Sequence, residues 1–190
     1  MIQSVKKQKA ALFEKATTGL SPDEFESLFE QYWAHVYRVV RRLVFDPAEA
    51  EDLTLETFVR LYQRLPIEEP GFQVGGWLYR VAANLGLHSI RSFKRREYYE
   101  LTAGKPALES ELESHPAEVY AQKEQQDQAR QALARMNERQ AQLLVLRYSG
   151  LSYKEIAGTL SLAPTSIGPL LLRAEREFEV CYQALAQEEE

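Results

Sequence analysis

The sequence predicts an all-α protein of two small helical domains joined by an acidic linker. Three observations carry this. The 190-residue chain has few β-branched runs and few glycines and is rich in Leu, Ala, Glu, Gln and Arg, a composition that favours helices. Apolar residues recur at helical spacing through residues 21–96 and again through 129–186. Between those stretches, residues 97–128 lose the periodicity and carry eight acids against two bases, too polar a segment to form a core of its own. Residues 1–20 are left as an N-terminal arm and residues 187–190 as a solvated acidic tail.

Composition also narrows the function. No apolar run approaches the roughly 20 residues that would span a membrane, and the N-terminus is dotted with lysines without an apolar signal core. The lone Cys181 excludes an internal disulfide and offers no metal cluster. The expectation is a soluble cytoplasmic protein without metal or cofactor. No Gly-rich phosphate loop, metal-ligand spacing or nucleophile motif occurs, and three scattered histidines make no constellation, so an enzyme is not expected. The net charge of −5 conceals a split: residues 1–96 carry 14 bases and 12 acids, and residues 129–190 carry 7 and 8. Both outer parts are nearly balanced, which leaves room for local basic surfaces that a polyanion can use.

In chain order, Val5, Leu12 and Phe13 fit either a loose first helix or a solvated arm. Ser21-Pro22-Asp23-Glu24 is a helix start, with Ser21 as N-cap, Pro22 in the first turn and acids near the positive end of the helix dipole. Phe25, Leu28, Phe29, Tyr32, Trp33, Val36, Val39, Val40 and Leu43 then form a wide apolar stripe, and Arg38, Arg41 and Arg42 gather at its end. Asp46-Pro47 opens a second helix running to Leu65. Ala50, Leu53, Thr57, Leu61 and Leu65 give it an inner face, and Glu49, Glu51, Asp52 and Glu56 an acidic outer one. Leu53, Leu55, Phe58 and Tyr62 exceed what one stripe can bury, which fits a protein-binding face; a solvated first turn is the plainer reading.

Pro66–Gly76 holds two prolines and three glycines and is expected to be a loop. Trp77 then opens a third helix, WLYRVAANLGLHSIRSFKRRE. Leu78, Val81, Ala82, Leu85 and Ile90 bury one side. Arg80, Asn84, His88, Arg91, Lys94, Arg95 and Arg96 accumulate on the rest. The cations alone would fit a solvated helix end. An aromatic at the head, an amide and a string of cations together suit melted DNA, because cations hold phosphates and flat side chains stack on exposed bases.

A new helix is expected near Pro116, and Ala129–Tyr148 resumes helical spacing until Asn137-Glu138 divides it, with Asn137 capping the second part. Gly150–Phe178 follows, GLSYKEIAGTLSLAPTSIGPLLLRAEREF. Ile156 and Leu160 lie on one helical face, Ile167, Leu170, Leu171 and Ala174 on another, and a break falls at Ser161–Pro164. Small Ala157 sits where a crossing helix must come close. On its own the pattern fits a DNA-binding helix-turn-helix or a plain helical hairpin.

The order of these parts resembles an extracytoplasmic-function sigma factor, a small two-domain class of bacterial transcription initiation factor. The resemblance rests on FESLFEQYWAHVYRVVRRLVFDPAEAEDLTLETFVRLY, GWLYRVAANLGLHSIRSFKRRE and LARMNERQAQLLVLRYSGLSYKEIAGTL, at this spacing. It implies that residues 21–96 are sigma domain 2 and that Asp52, Leu53, Glu56, Thr57 and Phe58 dock on the polymerase β′ coiled coil. It implies that Trp77, Arg80, Asn84, Arg91, Lys94 and Arg95 recognise and hold open the −10 element. Residues 129–186 would be sigma domain 4, reading the −35 element with Tyr153, Lys154, Thr165, Ser166, Arg173 and Arg176. The implied partners are core RNA polymerase (mainly its β′ and β subunits), promoter DNA and an anti-sigma factor. The acidic linker would thread the polymerase RNA channel, where negative charge mimics nucleic acid.

The chain departs from the family most in its last helix. Gly168 and Leu170 replace expected cations, and a mid-helix proline costs about 3 kcal/mol. A helix starting late, with Ser166 as N-cap and Pro169 in its first turn, would avoid that cost. Fewer cations also imply a weaker, less salt-dependent −35 grip. Two rivals remain: a helix-turn-helix repressor, which leaves the Trp77–Arg96 helix and the acidic linker unexplained, and a sigma-like regulator that works through protein contacts.

Overall fold

A computed structural model describes residues 21–63, 72–102 and 117–188, with side chains throughout except in 94–102 and 117–123. The expected arm at 1–20, the 103–116 part of the linker and Glu189–Glu190 of the tail lie outside the described residues. Those described form seven helices and no strand: α1 Pro22–Arg41, α2 Pro47–Gln63, α3 Val74–Thr102, α4 Ala117–Arg135, α5 Glu138–Tyr148, α6 Tyr153–Leu160 and α7 Pro164–Glu188.

Helix starts follow the local chemistry. Ser21 accepts from the Glu24 amide, and the Glu24 carboxylate accepts from the Ser21 amide, closing a capping box. Ser152 and Glu155 repeat it at the head of α6. The Ser152 hydroxyl, and then its amide, hold the Glu155 carboxyl below the usual carboxylate range. Asp46 accepts from the Ala48 amide at the head of α2, and Asn137 caps α5. At the end of α1, Arg41 donates to the carbonyls of Val44 and Phe45, 2.7 and 2.5 Å away.

α1, α2 and α3 pack on one another, and α4–α7 form a second group in which α7 lies against α4, α5 and α6. Phe25, Phe29, Trp33, Phe58 and Tyr62 make an aromatic cluster between α1 and α2, with the Phe29 and Phe58 centroids 4.7 Å apart. Buried Ile156, Ala157, Leu160, Ile167, Leu171 and Ala174 hold α6 and α7 together. Leu170, expected on the same face, is only half-buried.

Three boundaries differ from those the sequence predicts. α3 begins at Val74 rather than Trp77. Gly75 and Gly76 lie in its first turn, where an added Cβ would stand 2.7 Å from the Tyr32 ring at Gly75 and in contact with the Thr159 backbone, at 3.4 Å, at Gly76. α3 runs on to Thr102, while α4 starts at Ala117, beside Pro116 where the sequence predicts a new helix. The 97–128 segment is therefore helical at both ends, with polar α4 drawn into the fold by its packing on α7 and α3. α7 starts at Pro164, so Ser166 is inside the helix and not its cap, and Pro169 is a true helix-interior proline. Three features accommodate it. Gly168 has no Cβ to crowd the proline ring, the unpaired Thr165 carbonyl belongs to an exposed residue, and Ile167 and Leu171 anchor both sides of the kink-prone point. Finally, the acidic tail is partly used: Glu188 ends α7 and takes both guanidinium ends of Arg135, at 2.8 and 2.5 Å.

Two sites define stability tests. Gly150 follows α5 at φ +97, and the next amide, Leu151, returns to the Leu146 carbonyl at 3.2 Å. A side chain is strained in that conformation, so Gly150→Ala is expected to lower unfolding free energy by about 1–2 kcal/mol in chemical denaturation. Arg130 of α4 has only 12% of its side chain exposed, with Nε and Nη1 lacking hydrogen-bond partners and Asp127 3.8 Å away. Its guanidinium lies over the Phe45 ring of the α1–α2 connection, and burial pushes its pKa down to about 10. Replacing a poorly satisfied buried charge with an apolar chain of similar length is neutral or stabilising. Arg130→Met is expected to raise the melting midpoint by roughly 2–4 °C, about 1 kcal/mol at this size.

Candidate nucleic-acid interface

α3 has two buried sides. Leu78, Tyr79, Ala82, Ala83 and Leu87 pack in the core. Trp77, Arg80, Asn84, His88 and Arg91 form one stripe at three- and four-residue spacing. Of these, His88 is exposed and sits 3.4 Å from the Ser92 hydroxyl, while Trp77 is partly buried, 6.3 Å from the Phe72 ring. The other three meet the second helical group.

Arg80 donates from Nε to the Thr159 carbonyl at 2.6 Å, from Nη2 to the same oxygen, and from Nη2 to the Ser161 hydroxyl at 3.1 Å. Arg91 donates to the carbonyls of Ala134 and Met136 at 3.2 and 3.1 Å, with Glu138 3.8 Å from its guanidinium. The Asn84 oxygen accepts from the Gln142 amide. Thr159 lies in the last turn of α6 and Ala134 in the last turn of α4. Each arginine thus grips a helix C-terminus, where unpaired carbonyls and the helix dipole present partial negative charge. The two sites lie about three turns apart along α3. Among the described helices, the packing between the two groups runs through α3 to α4, α5 and α6, and Arg130 on Phe45 adds a contact beside it. Lys94 and Arg95 lie on α3, but their side chains fall outside those described.

The helix-turn-helix presents a different picture. α6 ends in Ser161 at φ 55, ψ 50, and the Leu162 amide returns to the Ala157 carbonyl at 2.9 Å, so the chain reverses sharply into α7. Tyr153, Lys154, Thr165, Arg173 and Arg176 are exposed, and Ser166 is half-buried. The expected −35 residues therefore lie on an open face, whereas the expected −10 residues Arg80, Asn84 and Arg91 are engaged.

The acidic helix α2 divides its candidates. Asp52 is exposed and Leu53 partly so; Glu56 accepts from Arg60 at 2.8 Å. Thr57 and Phe58 are fully buried: the Thr57 hydroxyl bonds to the Leu53 carbonyl at 2.9 Å, and Phe58 fills the aromatic cluster. Leu55, Phe58 and Tyr62, whose excess over one stripe pointed to a partner, are buried by α1 instead. Of the five α2 candidates, Asp52, Leu53 and Glu56 are the ones with accessible side chains.

Comparison with known proteins joins these two surfaces. The Sigma-70 region 2 profile matches residues 28–97, and the Sigma-70 region 4 profile matches residues 126–178. An extracytoplasmic-function (ECF) RNA polymerase sigma factor of Mycobacterium tuberculosis, SigL, is 30% identical over 163 residues, covering 84% of this chain and 89% of that one. The chain belongs to the ECF class of the sigma-70 family. The ECF sigma factor BldN of Streptomyces coelicolor is 33% identical over 167 residues, 87% of this chain, but the chain spans only 62% of that relative's length. A solved structure of CnrH in complex with the cytosolic domain of CnrY shares the fold: TM-score 0.52, 16% identity, 93% of this chain and 95% of that chain covered. The region 2 match contains most of α1, all of α2 and most of α3, and the region 4 match runs from within α4 to Phe178 in α7.

Sequence reasoning missed the seam between these regions. Thr159 and Ser161 carry no signal of it, since carbonyls and hydroxyls occur throughout a helix-turn-helix. Gln142 does carry one: it is a buried amide inside the apolar run Ala141–Leu146, and a buried amide needs a partner. Gly76 is the second trace, held against Thr159. In Gly76→Leu the Cβ would already touch the Thr159 backbone, and the three carbons beyond it must be accommodated at the same seam. Small-angle scattering should show a larger radius of gyration for this variant, with circular dichroism unchanged because each helical group stays folded.

Proposed function

We propose that this sigma-70 family member binds core RNA polymerase in the cytoplasm and directs it to promoters, acting by binding and not by catalysis. α3 recognises and holds open the −10 element with Trp77, Arg80, Asn84 and Arg91, extended by Lys94 and Arg95. α7 and the head of α6 read the −35 element through Tyr153, Lys154, Thr165, Ser166, Arg173 and Arg176. Asp52, Leu53 and Glu56 dock α2 on the β′ subunit, with Thr57 and Phe58 shaping that helix from inside, and the acidic linker of residues 97–128 threads the polymerase RNA channel. The observation that carries this reading is the pair of arginine sites on α3. Guanidinium groups held on helix-terminal carbonyls are aimed at concentrated negative charge, and phosphate oxygens are stronger acceptors of the same geometry.

The reading entails a rearrangement. Arg80, Asn84 and Arg91 cannot take DNA while bonded across the seam, so the two domains separate when polymerase and promoter are engaged. An anti-sigma factor that favours the packed arrangement is the further partner this supports; CnrH, with the same fold, is held by the cytosolic domain of CnrY. The engaged −10 residues also favour a second reading, a regulator working through protein contacts alone.

Run-off transcription with purified core polymerase on a genomic promoter library separates them. Specific initiation is expected; polymerase binding without initiation favours the second reading, and no polymerase binding removes both. Within the first, Arg80→Ala with Arg91→Ala is expected to cut open-complex formation by roughly tenfold or more, as for lost charge-assisted bonds, while pull-down of core polymerase is retained. Asp52→Ala is expected to weaken the pull-down without changing the melting midpoint, because Asp52 is exposed.

A further inference from the structure

The reading face of α7 is unusually apolar. Ile167, Leu171 and Ala174 turn inward and are buried. The opposite face carries Thr165, Pro169, Leu172, Arg173 and Arg176, all exposed, with Leu172 50% accessible. Beside it, Tyr153 at the head of α6 is 44% accessible and its ring covers Gly168, 3.7 Å from where a Cβ would stand. The Arg147 guanidinium lies over the other part of that ring, 5.3 Å from its centroid. Gly168 and Leu172 are one turn apart, so Tyr153, Pro169 and Leu172 make a continuous apolar strip. Arg147 lies against its Tyr153 end, and exposed Lys154, Arg173 and Arg176 neighbour its members along α6 and α7.

Exposed apolar groups with cations beside them have a defined match in the major groove. The cations meet phosphates, which position the helix without reading sequence. Among base edges in that groove, the one apolar group is the C5-methyl of thymine. Neither Gly168 nor Pro169 carries a side-chain donor or acceptor, so these two positions of the helix cannot hydrogen-bond base edges. We infer that Leu172, with Pro169 and the Tyr153 ring, reads the −35 element through thymine methyl groups, making Leu172 a specificity-determining residue. This rests on the promoter-binding reading above and adds to it the chemical feature of the DNA that is recognised.

The test uses holoenzyme formed from the full chain and core polymerase. Promoters randomised across the −35 element are selected by binding, and each thymine in the selected element is then replaced by deoxyuridine, which removes the methyl and leaves base pairing intact. Thymine should be enriched at two or more positions. Deoxyuridine at a position facing Leu172 should weaken binding by about fourfold, the effect of uncovering one methyl-sized group. Leu172→Ala should bind the thymine promoter correspondingly less tightly and lose the sensitivity to deoxyuridine, with the salt dependence of binding unchanged. Leu172 is exposed, so this variant folds, and its melting midpoint provides the check. Equal deoxyuridine effects in both proteins, or none in either, overturn the inference while leaving initiation intact. Loss of a function other than DNA binding in Leu172→Ala, with methyl-insensitive promoters, assigns the strip to a protein partner and also overturns it. A chain that fails to initiate on any template removes the underlying reading, and the inference with it.

Discussion

The arrangement of this protein depends on one helix having to satisfy two unlike faces. One side of α3 is apolar and is buried by the first helical group. The adjoining stripe carries two guanidiniums and an amide, and these groups are costly to bury unless bonded. The second group supplies what they need: two helix C-termini for Arg80 and Arg91, and the Gln142 amide for Asn84. The ends of α4 and α6 in turn gain donors for carbonyls that no helix satisfies internally. The polar contacts at the seam are therefore a mutual solution to two hydrogen-bonding deficits, set beside an apolar core that runs through both groups.

Such a seam is suited to being exchanged. Polar groups matched across an interface lose little when another partner offers the same geometry, since net hydrogen-bond energies in water are modest. Phosphates offer that geometry with more charge. Arg130 adds a weakness at the same boundary, a guanidinium pressed on Phe45 with two nitrogens unpaired. The packed arrangement and the proposed DNA-bound one thus compete for the same side chains on α3, while the helix-turn-helix face stays open in the packed form. Domain separation is the natural coordinate connecting the two.

Much of the helical framework was legible in the sequence because its signals are local. Ser21, Asp46 and Asn137 sit where caps form, and the break at Ser161–Pro164 falls where α6 gives way to α7. Boundaries failed where tertiary contact overrode local preference. Gly75 and Gly76 read as loop residues but are helical under Tyr32 and Thr159. Pro169 read as a first-turn residue but lies inside α7, because Ile167 and Leu171 are buried on either side of it. The surplus of apolar residues on α2 read as a binding face and proved to be core, since the width of the covering aromatic cluster from α1 is not encoded in α2 itself.

By itself the sequence determined the helical class, the two-part organisation, the family resemblance and the positions on α3 and α7 that carry cations and aromatics. These follow from spacing and residue type, which act over a few turns. Only the tertiary structure decided which of those residues are available. It placed Phe58 and Thr57 inside, left Arg173, Arg176 and Leu172 on an open face, and joined Arg80, Asn84 and Arg91 to carbonyls and an amide more than forty residues away in the chain. Pairing across such separations depends on how two helical groups meet, and no local pattern records that.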